Sequence, residues 1–278
     1  MLGEALCEQL EGEHRVTAWG RKEIDVSNRR DCLEKITELK PEIILNAAAF
    51  VDVDGCEREP DLAWKANALG SQNLALAAAR NACAYLYVSS DYLFDGRSDS
   101  DYDEFCPPSP VNQYGRCKLA GEVLARRVCG QTYIVRTAWL FGHRPNNYVE
   151  RVLSQAAASG RVRMASDQVE SPTYTRHLAR AVACLIDSGA YGTYHVTSRG
   201  ACTRTEFARF VLDEAGKTAE VVEIPPEEVK RLAARPQRTV LDCRLYRLVT
   251  NQELPDWQEG VRAYLRNSGQ ADGLTRLS

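Results

Sequence analysis

The stretch EIILNAAAFVDVDGCEREPDLAWKANALGSQNLALAAARNACAYLYVSS, residues 42–90, carries the fold. Its first eight residues, EIILNAAA, form a near-continuous apolar run, the pattern of a strand buried on both faces. ALGSQNLALAAARNA (68–82) is Ala-rich and long enough for a helix, and AYLYVSS (84–90) is a second apolar strand. Strand, helix and strand in that order make a βαβ unit, which implies a parallel sheet.

The same alternation extends outward in both directions. MLGEALCEQL opens the chain, with Leu2, Leu6 and Leu10 on one face of an amphipathic helix. HRVTAWG (14–20) reads as a short strand. DVSNRRDCLEKITELK (25–40) reads as a helix with Ser27 as its N-cap and Leu33, Ile36 and Leu39 as its buried stripe. Downstream, NQYGRCKLAGEVLARRV (112–128) is helical, TYIVRTAWLFG (132–142) is a strand, and NNYVERVLSQAAASG (146–160) is a helix. The expected architecture is α/β, a Rossmann-like doubly wound parallel sheet over residues 1–160.

From about Arg161 the pattern loosens into RVRMASDQVESPTYT, a helix at HLARAVACLIDSG, and then GTYHVTSRG. TRTE at 203–206 is a capping box that opens the helix EFARFVLDEAG. The Pro-rich IPPEEVKRLAARPQR (224–238) reads as loop. Residues 161–278 are expected to form mainly a smaller substrate-binding lobe, with the chain crossing back to the first domain.

The 278 residues are 44% hydrophobic and 26% charged, with a net charge of −3, so nothing calls for nucleic acid or an anionic lipid surface as partner. No apolar run approaches the roughly 18–20 residues of a membrane span, and no secretory signal opens the chain. The ten cysteines are scattered without a CxxC pair or a histidine at ligand spacing. They read as reduced thiols of a cytoplasmic protein, several of them small core hydrophobes, and no metal site is expected.

Tyr114 and Lys118 in YGRCK lie one helical turn apart on the same face. A phenol with an ordinary pKa near 10 is a poor proton donor to a carbonyl at neutral pH. A neighbouring ammonium lowers that value, which makes the pair a candidate acid. The spacing alone is nonspecific. Upstream, VSSDYLFDG places Ser89 and Ser90 at the end of a buried strand, where ligand crevices of open α/β sheets lie.

With these motifs the chain resembles the extended short-chain dehydrogenase/reductases, and within them the dTDP-4-dehydrorhamnose reductases. The resemblance rests on LKPEIILNAAAFVDVDGCE, WKANALGSQNLA, VSSDYLFDG, PVNQYGRCKLAGE, VRTAWLFG, the paired asparagines of NNYV, DQVESPT, GTYHV with EFAR, and RPQRTVLDC. It implies hydride transfer from NAD(P)H to the C4 keto carbon of a nucleotide-linked 6-deoxy-4-keto sugar, giving dTDP-L-rhamnose. By the resemblance Tyr114 is the proton donor, Lys118 holds the nicotinamide ribose and depresses the tyrosine pKa, and Ser90 supplies the third hydroxyl. The family commonly has threonine at that last position. Tyr92, Trp139, Asn147, Gln168, Pro172 and Thr173 are implied to contact the substrate. The family carries glycine where Glu170 stands, and a carboxylate beside a diphosphate repels it unless it points away.

On the cofactor side the resemblance implies Ala48 and Ala49 packed beside the dinucleotide, Asp25 near the adenine, and Asn67 in the cofactor site. WGRK (19–22) offers Arg21 and Lys22 and no carboxylate where NAD-binding folds hold the ribose, which favours NADPH over NADH. Gly3 matches the last glycine of a GxxGxxG turn, whose backbone approaches the pyrophosphate at a helix N-terminus. The resemblance then implies that roughly ten residues, one strand and two glycines, precede it in the family. A late start of the sequence is the expectation that follows. The partners implied are a nucleotide sugar and, in some relatives, a second copy in a homodimer. Two rivals share the motifs: a non-catalytic regulatory subunit of methionine adenosyltransferase, against which Trp139 argues, and a reductase or epimerase of another nucleotide sugar.

Overall fold

The computed structural model describes residues 1–143, 147–165 and 167–275. Four parallel strands form its main sheet: β1 (Ile43–Asn46), β2 (Ala84–Ser90), β3 (Thr132–Thr137) and β4 (Gly192–His195), side by side in that order. Ile43 pairs with Ala84, Tyr85 with Thr132 and Tyr133 with Gly192. Successive residues of β2 point to opposite faces, and both faces are covered.

On one face, Leu86, Val88, Tyr133 and Val135 receive Leu2 and Leu6 of α1 (Leu2–Leu10). Leu178, Val182 and Leu185 from the helix Thr175–Asp187 complete that layer. On the other face, Ile44, Tyr85, Tyr87 and Ile134 meet α2 (Arg29–Leu39) through Cys32 and Ile36. Leu74 and Ala78 of α3 (Gly70–Arg80) and Ala125 of α4 (Gln113–Val128) close this side. Helices on both faces of a parallel sheet make the doubly wound α/β fold expected from the βαβ unit.

A second cluster gathers Phe141, Val149, Val152, Val162, Phe207, Val211, Trp257 and Val261. It is framed by short strand pairs: Arg161–Ala165 beside Glu220–Ile224, Leu140–Phe141 beside Thr173–Tyr174, and Val169–Glu170 antiparallel to Cys202–Thr203. The chain enters this cluster by Phe141, ahead of residue 160, and returns to the main sheet for Thr175–Asp187 and β4.

Three local expectations are corrected. HRVTAWG is not a strand; Arg15, Thr17 and Ala18 are exposed, and Trp19 packs against the α2–α3 layer. Among the described residues β1 pairs only with β2, so residues 14–20 have no ladder to join, and an unpaired strand is not stable. The cap of α2 is Asn28, whose Oδ1 accepts from the amides of Arg30 and Asp31 at 3.0 and 3.2 Å. Ser27 instead donates its hydroxyl to Asp25 Oδ1 at 2.7 Å. TYIVRTAWLFG is broken at Trp139, whose φ of 40° interrupts the ladder between Thr137 and Leu140.

A buried ion pair fastens α4 to the sheet. The Arg136 guanidinium on β3 reaches Glu122 on α4 through Nε–Oε1 at 3.0 Å and Nη2–Oε2 at 2.8 Å, with both side chains almost fully buried. Arg136 Nη1 lies 3.3 Å from His195 Nε2, and His195 Nδ1 meets the Tyr102 carbonyl at 2.9 Å. The carbonyl can only accept, so Nδ1 carries the proton and Nε2 accepts from Arg136. Burial and the guanidinium push His195 down to about 3, which keeps it neutral. Glu122→Ala leaves a buried cation without its partner and is expected to cost about 3–5 kcal/mol. Urea unfolding measures this, and a loss below about 1 kcal/mol, the level of a surface pair, contradicts the assignment.

Candidate active site

β2 ends in Ser89 and Ser90 and runs directly into a single 3₁₀ turn, Asp91–Leu93. Ser90 caps that turn, its Oγ accepting from the Tyr92 amide at 3.1 Å and lying 3.1 Å from Asp91 Oδ1. Helix α4 starts against this turn. Asn112 caps it by accepting from the Gly115 amide at 2.8 Å, and its own amide donates to the Ala234 carbonyl at 2.9 Å. Gly115 faces the Tyr92 carbonyl oxygen so closely that a Cβ there would fall on it. That approach brings the Tyr114 phenol beside Ser90 and sets its ring edge-on to Tyr92, with centroids 6.0 Å apart.

Lys118 is 2% exposed. Its ammonium donates to the Val88 carbonyl at 2.6 Å and lies 4.0 Å from the centre of the Tyr87 ring. Burial pushes it down to about 7. Burial also raises the Tyr114 phenol above its ordinary value, with only the Ser90 side chain opposing. The expected lowering of Tyr114 by Lys118 is therefore not what this geometry gives. The ammonium is turned to the β2 backbone, and the phenol holds its proton firmly at neutral pH.

A polar network leads away from Tyr92. Gln168 Nε2 reaches the Tyr92 hydroxyl at 3.0 Å and Glu170 Oε1 at 2.8 Å, while its Oε1 accepts from Arg204 Nη2 at 3.0 Å. Arg204 Nη2 is 3.9 Å from Glu170 Oε2, and Arg204 also donates to the Tyr148 hydroxyl. Its guanidinium lies over the Trp139 ring at 5.2 Å and over the Tyr148 ring at 4.9 Å. Asp91 accepts from the Thr239 hydroxyl on the far side. Burial, then the proximity of Glu170, raises Asp91 to about 8. Burial raises Glu170 too, but Arg204 opposes it, so Asp91 is the member of the pair that keeps a proton.

The structure thus gathers Ser90, Tyr92, Tyr114, Lys118, Trp139 and Gln168 around one end of the sheet. Other candidate residues spend their side chains elsewhere. Asn67 clamps the Phe50 backbone, accepting from its amide at 2.8 Å and donating to its carbonyl at 3.0 Å, so it shapes the loop after β1. Asn147 caps the helix Tyr148–Ser159 and donates to Gly142 and to Tyr264. Asn146 lies outside the described residues. Thr173 bonds the Ser171 carbonyl and the Ser198 amide, beside the buried Pro172. Ala48 and Arg21 are exposed and Ala49 is partly buried; Asp25, also exposed, holds Ser27. Gly3 sits in α1 with open space where a Cβ would be.

Three participants were not singled out in the sequence: Asp91, Gly115 and Arg204. Asp91 adjoins Ser90 and could have been flagged by position. Arg204 lies inside the capping box, a local motif that says nothing of the wall it joins.

The sequence model of the RmlD substrate binding domain family matches residues 1–269, and the chain belongs to that family. It is 35% identical over 271 residues to the spore coat polysaccharide biosynthesis protein SpsK of Bacillus subtilis, covering 97% of this chain and 95% of the relative. It is 31% identical over 252 residues to the dTDP-4-dehydrorhamnose reductase of Escherichia coli K12, covering 87% and 84%. Among solved structures, the dTDP-4-dehydrorhamnose reductase of Bacillus anthracis in complex with NADP superposes with a TM-score of 0.93 at 34% identity, covering 96% and 95%. The UDP-glucose 4-epimerase of Thermus thermophilus, at 21% identity and a TM-score of 0.80, shares the fold.

The raised Asp91 carboxyl has a consequence for stability. Its folded value, about 8, lies above the ordinary carboxyl value, so the native state binds more protons than the unfolded chain between them. Stability from this group is full below about pH 4 and is lost as pH rises towards 8. His195 acts in the opposite sense, adding stability as pH rises from about 3 to its ordinary value. Asp91→Asn removes only the first contribution. Between pH 5 and 8 the native protein should lose more stability than the variant, measured by urea midpoints, and equal losses would contradict the buried, protonated carboxyl.

Proposed function

We propose that this chain reduces the C4 keto group of dTDP-4-dehydrorhamnose to dTDP-L-rhamnose with NADPH. The observation that carries the reading is the placement of the Tyr114 phenol beside Ser90 at the carboxyl end of β2, one helical turn from the buried Lys118. Family membership and the reductases among the relatives support the same chemistry.

The residues present fit a dinucleotide with a 2′-phosphate. Arg21 and Lys22 are exposed cations at one side, Ala48 exposes only a methyl group beyond β1, and Gly3 leaves open space at the start of α1. When bound, the nicotinamide supplies the hydride. Tyr114 then gives its proton to the carbonyl oxygen, and Ser90, in reach of the same phenol, orients that oxygen. Because burial keeps the phenol protonated, the enzyme enters the step with its acid loaded. Tyr92 and Trp139 supply the aromatic walls on the substrate side.

Loss of nicotinamide absorbance on mixing NADPH with a dTDP-4-keto-6-deoxy sugar tests the activity. No turnover, with NADPH fluorescence unchanged on titration, refutes the reading. NADH run in parallel reports the cofactor preference. Tyr114→Phe removes the proton donor, so turnover should fall by a factor on the order of 10²–10⁴ while NADPH binding persists. A variant that turned over at the normal rate would show that the donor is another group.

A further inference from the structure

Beside Tyr92 and Gln168 two buried donors have no acceptor among the described residues: Arg204 Nε and Trp139 Nε1. They belong to one wall, since the Arg204 guanidinium lies 5.2 Å from the Trp139 ring. A buried donor without a partner is costly, so two on one wall call for an explanation. A ligand oxygen supplies one. Each terminal nitrogen of Arg204 makes one hydrogen bond, Nη1 to Tyr148 and Nη2 to Gln168. Those bonds fix the guanidinium plane, and Nε is the guanidinium nitrogen left with no partner among the described residues.

The charge balance of this wall selects the kind of oxygen. Glu170 Oε2 lies 3.9 Å from Arg204 Nη2, and Gln168 bridges the two side chains. Glu170 is 3% exposed, so its charge is spent on Arg204 rather than on solvent. A paired guanidinium offers directed N–H groups without a net positive charge. A diphosphate is best held by uncompensated cations, whereas a sugar hydroxyl, itself both donor and acceptor, is held by a donor and an acceptor close together. The carboxylate standing where the family has glycine is thus answered by Arg204 and not aimed bare at the diphosphate.

Resting on the reductase reading above, we propose that the Glu170–Arg204 pair is a specificity element that recognises an oxygen of the sugar ring, not of the diphosphate. Arg204 is the donor, with Trp139 beside it, and Glu170 acts through Gln168 as a positioning residue. Through the same amide the pair fixes the Tyr92 hydroxyl, so it also sets the wall that faces Tyr114.

The test measures steady-state kinetics with NADPH and a dTDP-4-keto-6-deoxy sugar, dTDP alone as competitive inhibitor, and NADPH affinity by fluorescence. Arg204→Gln should raise KM for the nucleotide sugar at least tenfold, with the dTDP inhibition constant and NADPH affinity within twofold of wild type. Arg204→Lys keeps a cation for Glu170 but loses the Nε–H edge, so it should fold and show the same selective rise. Glu170→Gln should raise KM less than either, because the bridge through Gln168 survives in part. KM within twofold of wild type in folded Arg204→Lys overturns the proposal. Parallel increases in KM and in the dTDP inhibition constant also overturn it, since they place the contact on the diphosphate. Wild-type protein that leaves NADPH unoxidised refutes the reductase reading itself, an outcome visible before any variant is measured.

Discussion

The site depends on one close approach, the backbone of Gly115 against the carbonyl of Tyr92. Any side chain at 115 would hold the start of α4 away from the end of β2. Tyr114 would then lose Ser90, and the ring contact between Tyr92 and Tyr114 would open. Asn112 reinforces the approach from both ends, capping α4 with its oxygen and tethering the Ala234 carbonyl with its amide. Below it, the Arg136–Glu122 pair locks the body of α4 to β3. The hydroxyl pair thus rests on three fastenings of a single helix, each made by a different interaction.

Burial at this junction sets the chemistry as much as proximity does. Lys118, Tyr114, Asp91 and Glu170 all shift in the direction that favours the neutral form. The low dielectric that penalises each charge also strengthens every hydrogen bond made there. Asp91 is the instructive member: it touches Ser90, is held by Thr239, and keeps its proton because Arg204 lies on the Glu170 side. Tyr114, Ser90 and Asp91 are therefore uncharged at neutral pH.

The βαβ unit of residues 42–90 was legible because periodicity reports burial, and a parallel strand is buried on both faces. Tyr114, Lys118 and Ser90 were legible because helical spacing and strand ends are local facts. Asn67, Asn147 and Thr173 each hold backbone partners that their motifs do not display. A polar residue in a recognisable motif can serve the backbone instead of a ligand, and only the partners at Phe50, Gly142 and Ser198 reveal it. HRVTAWG had the composition of a strand, but pairing is a property of two segments, and one segment cannot display it. Arg204 was hidden for a related reason: its partners Glu170, Gln168 and Tyr148 lie 34 to 56 positions earlier and converge only through the second cluster.

That convergence follows from the break in β3. A continuous strand through TYIVRTAWLFG would carry Trp139 along the main sheet. Its φ of 40°, a conformation a bulky residue adopts only when the surroundings enforce it, turns the chain out of the ladder. Leu140–Phe141 then pairs with Thr173–Tyr174, and the chain passes into the second cluster. The turn leaves the indole among Tyr148, Phe207 and Arg204, at the boundary between the two clusters. Backbone strain at Trp139 and the unpartnered indole N–H are two aspects of one arrangement. The sheet gives up a regular residue, and the indole joins Tyr148, Phe207 and Arg204 just beyond the end of β3.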